Sequence, residues 1–236
     1  MRTVCRPTGC VATAARLSGD PVSLSPIVFD DVGGRWVAVG IVSDKCNNAP
    51  AEYWAVYTLQ PRPDGTFAGD RTLVSTSGCT GFDTAVTFTR TGDVDVNSVP
   101  DPASQPPRVV SPAEALHGRY HNVTTYSTGN TEENDFGGRT DCLRTGERCM
   151  SFFHNPNQEQ DLDFGNGKWT RNAQFDAPCS TGGTTQVTMT GEFPLPQPPQ
   201  NPITLLSGHG HQGAPGNTTA CPAGGDYDEK FTRTGD

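Results

Sequence analysis

The chain has 236 residues and a formal net charge of −9; 33% of its residues are hydrophobic, and it holds 27 Gly, 20 Pro and 8 Cys. Acidity without any run of Lys or Arg excludes nucleic acid and anionic membrane surfaces as natural partners, and no stretch nears the roughly 20 apolar residues that span a bilayer. So little apolar material and so many turn formers suit small β domains stapled covalently better than one large core.

The start, "MRTVC", lacks a basic segment followed by an apolar run and so does not read as a signal peptide. A cysteine-rich chain without an export signal is expected to be a fragment of something longer. "CRPTGC" follows at once, then an apolar run, "VATAA". Next come "FDDVGG" and the strand-like "RWVAVGIV", with Gly33-Gly34 expected as a tight hairpin turn. "YWAVYTL", a turn at Asp64-Gly65, and "TAVTFTR" complete a first set of strands. Alternation around Tyr53 and Trp54 fits a ligand groove or, more simply, core.

Val94 to Pro112 carries five prolines and reads as an extended, semi-rigid linker. Only "SPAEALHG" (Ser111 to Gly118) looks helical: Ser111 caps, Pro112 suits the first turn and Glu114 completes a capping box, for two turns at most. Then "RYHNVTTY" reads as a strand, followed by "CLRTGERC", "MSFF", "LDFGNGKWTR" with a turn at Asn166-Gly167, and the strand "TTQVTMTGEF". The proline run "FPLPQPPQNP" stands where the first half has "LQPRP" and is read as an internal connection rather than a ligand for a proline-binding groove.

The last six residues, "FTRTGD" at Phe231 to Asp236, repeat Phe88 to Asp93. Other landmarks recur in the same order: four cysteines per half, and ten residues from Trp36 to Cys46 as from Trp169 to Cys179. The expectation is an all-β, mainly antiparallel protein of two tandem homologous modules. Each module is a small sandwich or flattened barrel, with a short helix near the linker. The expected bounds are 1–93 for the first module, 94–115 for the linker and 116–236 for the second. The first begins almost at its cysteine hairpin, so either it lacks a counterpart of "RYHNVTTY" or the sequence is cut inside that strand.

An even number of cysteines without paired Cys-x-x-Cys knuckles argues for disulfides over zinc, and hence for an oxidising compartment. Four cysteines allow three connectivities in each module. The favoured one is local: Cys5–Cys10, Cys46–Cys79, Cys142–Cys149 and Cys179–Cys221, because the close pairs flank turn signals and face each other across hairpins.

No catalytic, cofactor-binding or metal residue is expected. "DFG" at Asp135 and again at Asp163 matches the magnesium triplet of protein kinases, but the glycine-rich loop, strand lysine and H-R-D loop are missing. Counted from Asp161 as an EF-hand, Asn172 stands where the closing Glu should be. His209 and His211 share one side of an extended segment, a chelating spacing, yet "SGHGHQGAPGN" reads as a mobile loop. His117, His121 and His154 are singletons, and no G-x-S-x-G elbow is present.

With these residues in view the chain resembles the extracytoplasmic C-terminal regions of mycobacterial receptor-type serine/threonine protein kinases. The motifs that carry the resemblance are "CRPTGCVATA", "FDDVGGRWVAVG", "YTLQPRPDGTFAGD", the long linker phrase from "VTFTRTGDVDV" to "EALHGRYH", "TDCLRTGERCMSFFH" and "EFPLPQPPQNPITLLSGHGHQ". The resemblance implies a parent with a cytoplasmic kinase domain and one membrane helix, neither of which is in this sequence. It further implies placement on the outer side of the plasma membrane, a sensing or dimerising role, and an envelope ligand or a second copy as partner. The alternative is a secreted envelope-binding protein with no kinase attached.

Overall fold

The computed structural model describes all residues except 8, 16–23, 47, 76–80, 94, 214–220 and 222–223. The protein is all-β and antiparallel throughout, and it divides into two units, Met1–Val109 and Val110–Asp236. The division falls within the proline-rich stretch.

The first unit is one seven-stranded meander. Its strands are β1 (Arg2–Arg6), β2 (Gly9–Ala14), β3 (Ile27–Val32), β4 (Arg35–Cys46), β5 (Ala49–Pro61), β6 (Phe67–Ser75) and β7 (Phe82–Phe88), each paired with its neighbours in sequence. Gly33 and Gly34 both have positive φ, 62° and 81°, which a two-residue turn needs if its twist is to match the strands it joins. Ala12, Ile27, Phe29, Ala38, Tyr57 and Leu59 form one buried cluster, and Ala51, Tyr53, Ala55 and Leu73 another. Trp54 is fully buried, so the strand around it is core and not the wall of a groove.

The chain then returns along β1 and β2 through two 3-10 turns, Val96–Ser98 and Pro102–Ser104, capped by Asp95 and Asp101. Thr13 Oγ1 donates to the Pro100 carbonyl at 2.5 Å, and Arg2 reaches Asp101 at 3.6 Å. Val99 and Pro102 are buried. This part of the proline-rich stretch is thus folded onto the first unit and is not a free spacer.

The second unit opens on Pro112–Ala115, a four-residue 3-10 turn where the sequence points to a short helix. The capping box is present, with Ser111 N–H donating to Glu114 Oε1 at 2.8 Å. Two facts keep it short: Leu116 has already left helical geometry, and a strand begins at Gly118. Ala113, Ala115 and Leu116 are drawn into the core instead of extending a helix.

Eight strands follow: β8 (Gly118–Tyr126), β9 (Thr131–Cys142), β10 (Cys149–Asn155), β11 (Gln158–Gly165), β12 (Lys168–Pro178), β13 (Thr184–Pro194), β14 (Leu205–Gly213) and β15 (Gly225–Gly235). They form an up-and-down meander, and β15 pairs with β8 to close it into a barrel. An eight-stranded barrel is narrow enough for side chains to fill, and here they do. Tyr120, Phe153, Trp169, Phe193 and Phe231 are all 0–1% exposed, with Phe153 stacked on Phe231 at 4.5 Å and Trp169 Nε1 donating to Ser151 Oγ at 2.9 Å. Beside these rings lies a buried ion pair. Arg171 grips Glu229 through both terminal nitrogens at 2.6 and 3.1 Å, Asn122 donates to the same carboxylate at 2.8 Å, and Gln160 accepts from Arg171 at 2.7 Å.

Disulfides join Cys5 to Cys10, Cys142 to Cys149 and Cys179 to Cys221. The first two sit directly across hairpins, with Cα atoms 4.0 Å apart in each. Cys46 is also disulfide-bonded; Cys79, its partner in the favoured pairing, lies outside the described residues.

Tyr120 donates to the Ile203 carbonyl at 2.7 Å, and burial raises its phenol to about 12. Folding therefore favours the neutral ring. Its contribution is intact below pH ~10, where an unfolded tyrosine begins to ionise, and is lost between pH ~10 and 12. We expect the second unit to lose up to about 2 kcal/mol over that window, after allowance for solvent screening. Titration of tyrosinate absorbance alongside circular dichroism checks this, with wild type losing structure at a lower pH than Tyr120→Phe loses its own relative to neutral pH.

Candidate functional site

On the wall of the second unit, strand register assembles two polar rows from residues far apart in sequence. Thr170, Glu192, His209, Asp228 and Thr125 pair across β12, β13, β14, β15 and β8 in one row. Asn172, Thr190, His211 and Asp226 pair in the next row. Successive side chains on a strand alternate between faces, so both rows share the face opposite Arg171 and Tyr227, whose side chains enter the barrel. Both rows therefore point outward, and most of their members are exposed.

Between the rows runs an open groove of about 900 Å³. Its floor is the backbone of Arg171, Gly191, Gly210, Tyr227 and Tyr126. Crossing five strands at ~4.8 Å spacing, the longer row extends for roughly 19 Å.

Charge in the groove is partly matched. His211 Nδ1 lies 2.8 Å from Asp226 Oδ1, and Lys168 Nζ donates to Glu192 Oε1 at 2.6 Å. That hydrogen bond, with the charge of Lys168 behind it, holds the Glu192 carboxyl below its ordinary range. On the opposite, inward face of the same wall, burial, reinforced by the nearby Glu132 carboxylate, raises the Tyr126 phenol to about 12. Hydroxyl, amide, imidazole and carboxylate groups thus line one elongated surface suited to hydrogen-bonding a polar ligand.

His209 and His211 do share one side of the chain, but the reading of their segment as a loop is overturned. Leu205–Gly213 is strand β14, paired on both edges. A run of small and polar residues hides a strand from pattern reading, since its inward positions are glycines that leave room for neighbouring rings. Among the described residues no group of three or more His, Cys, Asp or Glu side chains is arranged to hold a metal ion. Glu192, Asp226 and Asp228 carried no signal of their own in the sequence, because only register brings them to the two histidines.

The remaining motifs lie apart from this groove. Asp135, in β9, meets His121 at 2.9 Å. Asp163, at 3.3 Å from Arg148, belongs to the end of β11, where Asn166 and Gly167 turn the chain with φ of 54° and 78°. Both "DFG" triplets are thus pieces of strand. His154 pairs with Glu159 at 3.2 Å, and His117 Nδ1 sits 2.8 Å from the Glu114 carbonyl oxygen. No helix among the described residues is long and apolar enough to cross a membrane.

The site lies on the wall of an antiparallel β-barrel, in a chain stapled by disulfides. Residues 1–104 match the family model described as PknI serine/threonine-protein kinase sensor domain. The resemblance to the sensor region of a mycobacterial serine/threonine kinase therefore stands over that stretch. No curated protein and no solved structure matches the chain.

Proposed function

We propose that the chain is the extracytoplasmic sensor region of a receptor serine/threonine kinase, made of two copies of one β unit. The observation that carries this reading is the family match over residues 1–104. Disulfides support the outer side of the membrane, since cytosolic thiols are kept reduced. Phosphotransfer belongs to no residue of this chain; its role is to bind an envelope ligand or a second copy and so bring kinase domains together.

Duplication is supported strand by strand. Strands β1 to β7 correspond to β9 to β15: each series opens on a cysteine hairpin, carries a positive-φ turn before its fourth strand and a tryptophan on that strand, and ends on "FTRTGD". The polar groove on the wall of the second copy is the surface we assign to ligand.

Thermal-shift screening of the disulfide-intact chain against envelope fractions tests the sensing role, with light scattering over a concentration series as its second arm. A ligand at 100 times its Kd adds about 2.7 kcal/mol to the stability of the folded state, and His209→Ala with Asp228→Ala should abolish that rise. No shift with any fraction, together with a monomer at every concentration, overturns the sensing reading.

A further inference from the structure

The groove on the barrel wall carries more negative charge than it matches. Glu192, Asp226 and Asp228 all line it. Lys168, beside it, is engaged by Glu192 at 2.6 Å, and His211 Nδ1 meets Asp226 at 2.8 Å. Asp228 is left over: among the described residues it makes no hydrogen bond and no ion pair, and neither does His209, its neighbour in register across β14 and β15. Lys230, two residues further along β15, lies outside the groove.

This pair is an exception within its own unit. The other four histidines of the chain each have a partner: His117 the Glu114 carbonyl, His121 Asp135, His154 Glu159 and His211 Asp226, at 2.8–3.2 Å. The last three are cross-strand contacts between residues paired in register, as His209 and Asp228 are. A sheet that closes such pairs elsewhere leaves this imidazole and this carboxylate open, at the middle of the longer polar row.

Charge and geometry then select the occupant. Excess negative charge selects a cation. Among the described residues no three acids, histidines or cysteines are arranged to hold a metal ion, so the fitting cation is an ammonium carried on a longer molecule. Tyr126 and Tyr227, the aromatic residues of the lining, turn their rings into the barrel, and a flat apolar face finds nothing here to stack on. Thr125, Thr170, Asn172 and Thr190 instead flank the charges with hydroxyl and amide groups.

Resting on the assignment of this groove to ligand, we propose that it takes an extended, hydroxyl-rich molecule bearing free primary amines, the chemistry of an amino-sugar chain. One ammonium donates to the Asp228 carboxylate. A ligand hydroxyl, which both donates and accepts, meets the His209 ring whichever nitrogen carries the proton. Further hydroxyls bond Thr125 on one side and Asn172 on the other.

The test uses the whole, disulfide-intact chain and three probes: glucosamine tetrasaccharide, its fully N-acetylated form, which keeps the length but loses the charge, and spermine, which has amines but no hydroxyls. Isothermal titration calorimetry at low salt gives the affinities. The free-amine tetrasaccharide is expected to bind at least tenfold tighter than either control, and added salt to weaken it by screening. Asp228→Asn and, separately, His209→Ala, both at exposed positions, should each cost at least tenfold while melting as wild type does. Asp135→Asn, which removes an exposed carboxylate of β9 away from the groove, should change nothing. Equal binding of the two tetrasaccharides, spermine binding as tightly as the free-amine form, or no heat from any probe overturns the ligand class. So does an Asp228→Asn variant that binds as wild type, or an Asp135→Asn loss of the same size. The outcomes separate the readings: a chain that is stabilised by an envelope fraction yet ignores the tetrasaccharide loses this ligand class and keeps the sensing role. One that takes the tetrasaccharide through Asp228, answers no fraction and stays monomeric keeps the groove chemistry and loses sensing.

Discussion

Replacing Glu229 by alanine is expected to destabilise the second unit by about 3–5 kcal/mol. The carboxylate is fully buried, and its partner Arg171 is 3% exposed at the side chain, so the substitution leaves a guanidinium in the barrel without a counter-charge, its hydrogens shared between neutral groups such as Gln160 and the Met189 sulfur. Desolvating an unmatched cation is the dominant cost. Asn122 loses its acceptor in the same step. A calorimetric transition lowered by roughly 10 °C or more is the expected readout for a unit of this size. Arg171→Met together with Glu229→Leu should recover most of the loss, because a buried pair contributes little beyond what well-packed apolar side chains supply. A single variant as stable as wild type would mean that water reaches the pair.

Trp169→Ala and Trp36→Ala should differ, although the two positions correspond. Trp169 is 0% exposed, packs at 4.7 Å centroid distance against Phe164 and holds Ser151 by a hydrogen bond, so its loss opens a cavity costing about 3–5 kcal/mol. Trp36 is only half-buried, packed at the margin of its cluster, and its removal should cost about 1–2 kcal/mol. Urea titrations of the two variants check the difference. Equal losses would indicate that Trp36 is covered in solution as fully as Trp169.

Legibility in the sequence followed the range of the interaction. Turns at Gly33-Gly34 and Asn166-Gly167 were readable because positive φ at two successive positions is a demand on the residues themselves. Cysteine hairpins were readable for the same reason, their bonding partners lying 5 and 7 residues apart. The helix expected over 111–118 failed where local preference met packing: Leu116 is worth more in the barrel core than in another turn of helix. Strand β14 reads as a loop in the sequence because its glycines serve neighbouring rings rather than its own backbone. The Arg171–Glu229 pair, 58 residues apart, left no local mark at all.

The sequence alone determined the antiparallel β class, the cysteine hairpins and the recurrence of landmarks, since each rests on residue chemistry or spacing. Only the tertiary structure decided that the second meander closes into a barrel while the first, among the described residues, stays an open sheet, and which polar residues meet on the barrel wall. The physical reason is register: a cross-strand neighbour is chosen by pairing over tens of residues, and the same six letters are buried strand or exposed end according to whether another strand lies beside them.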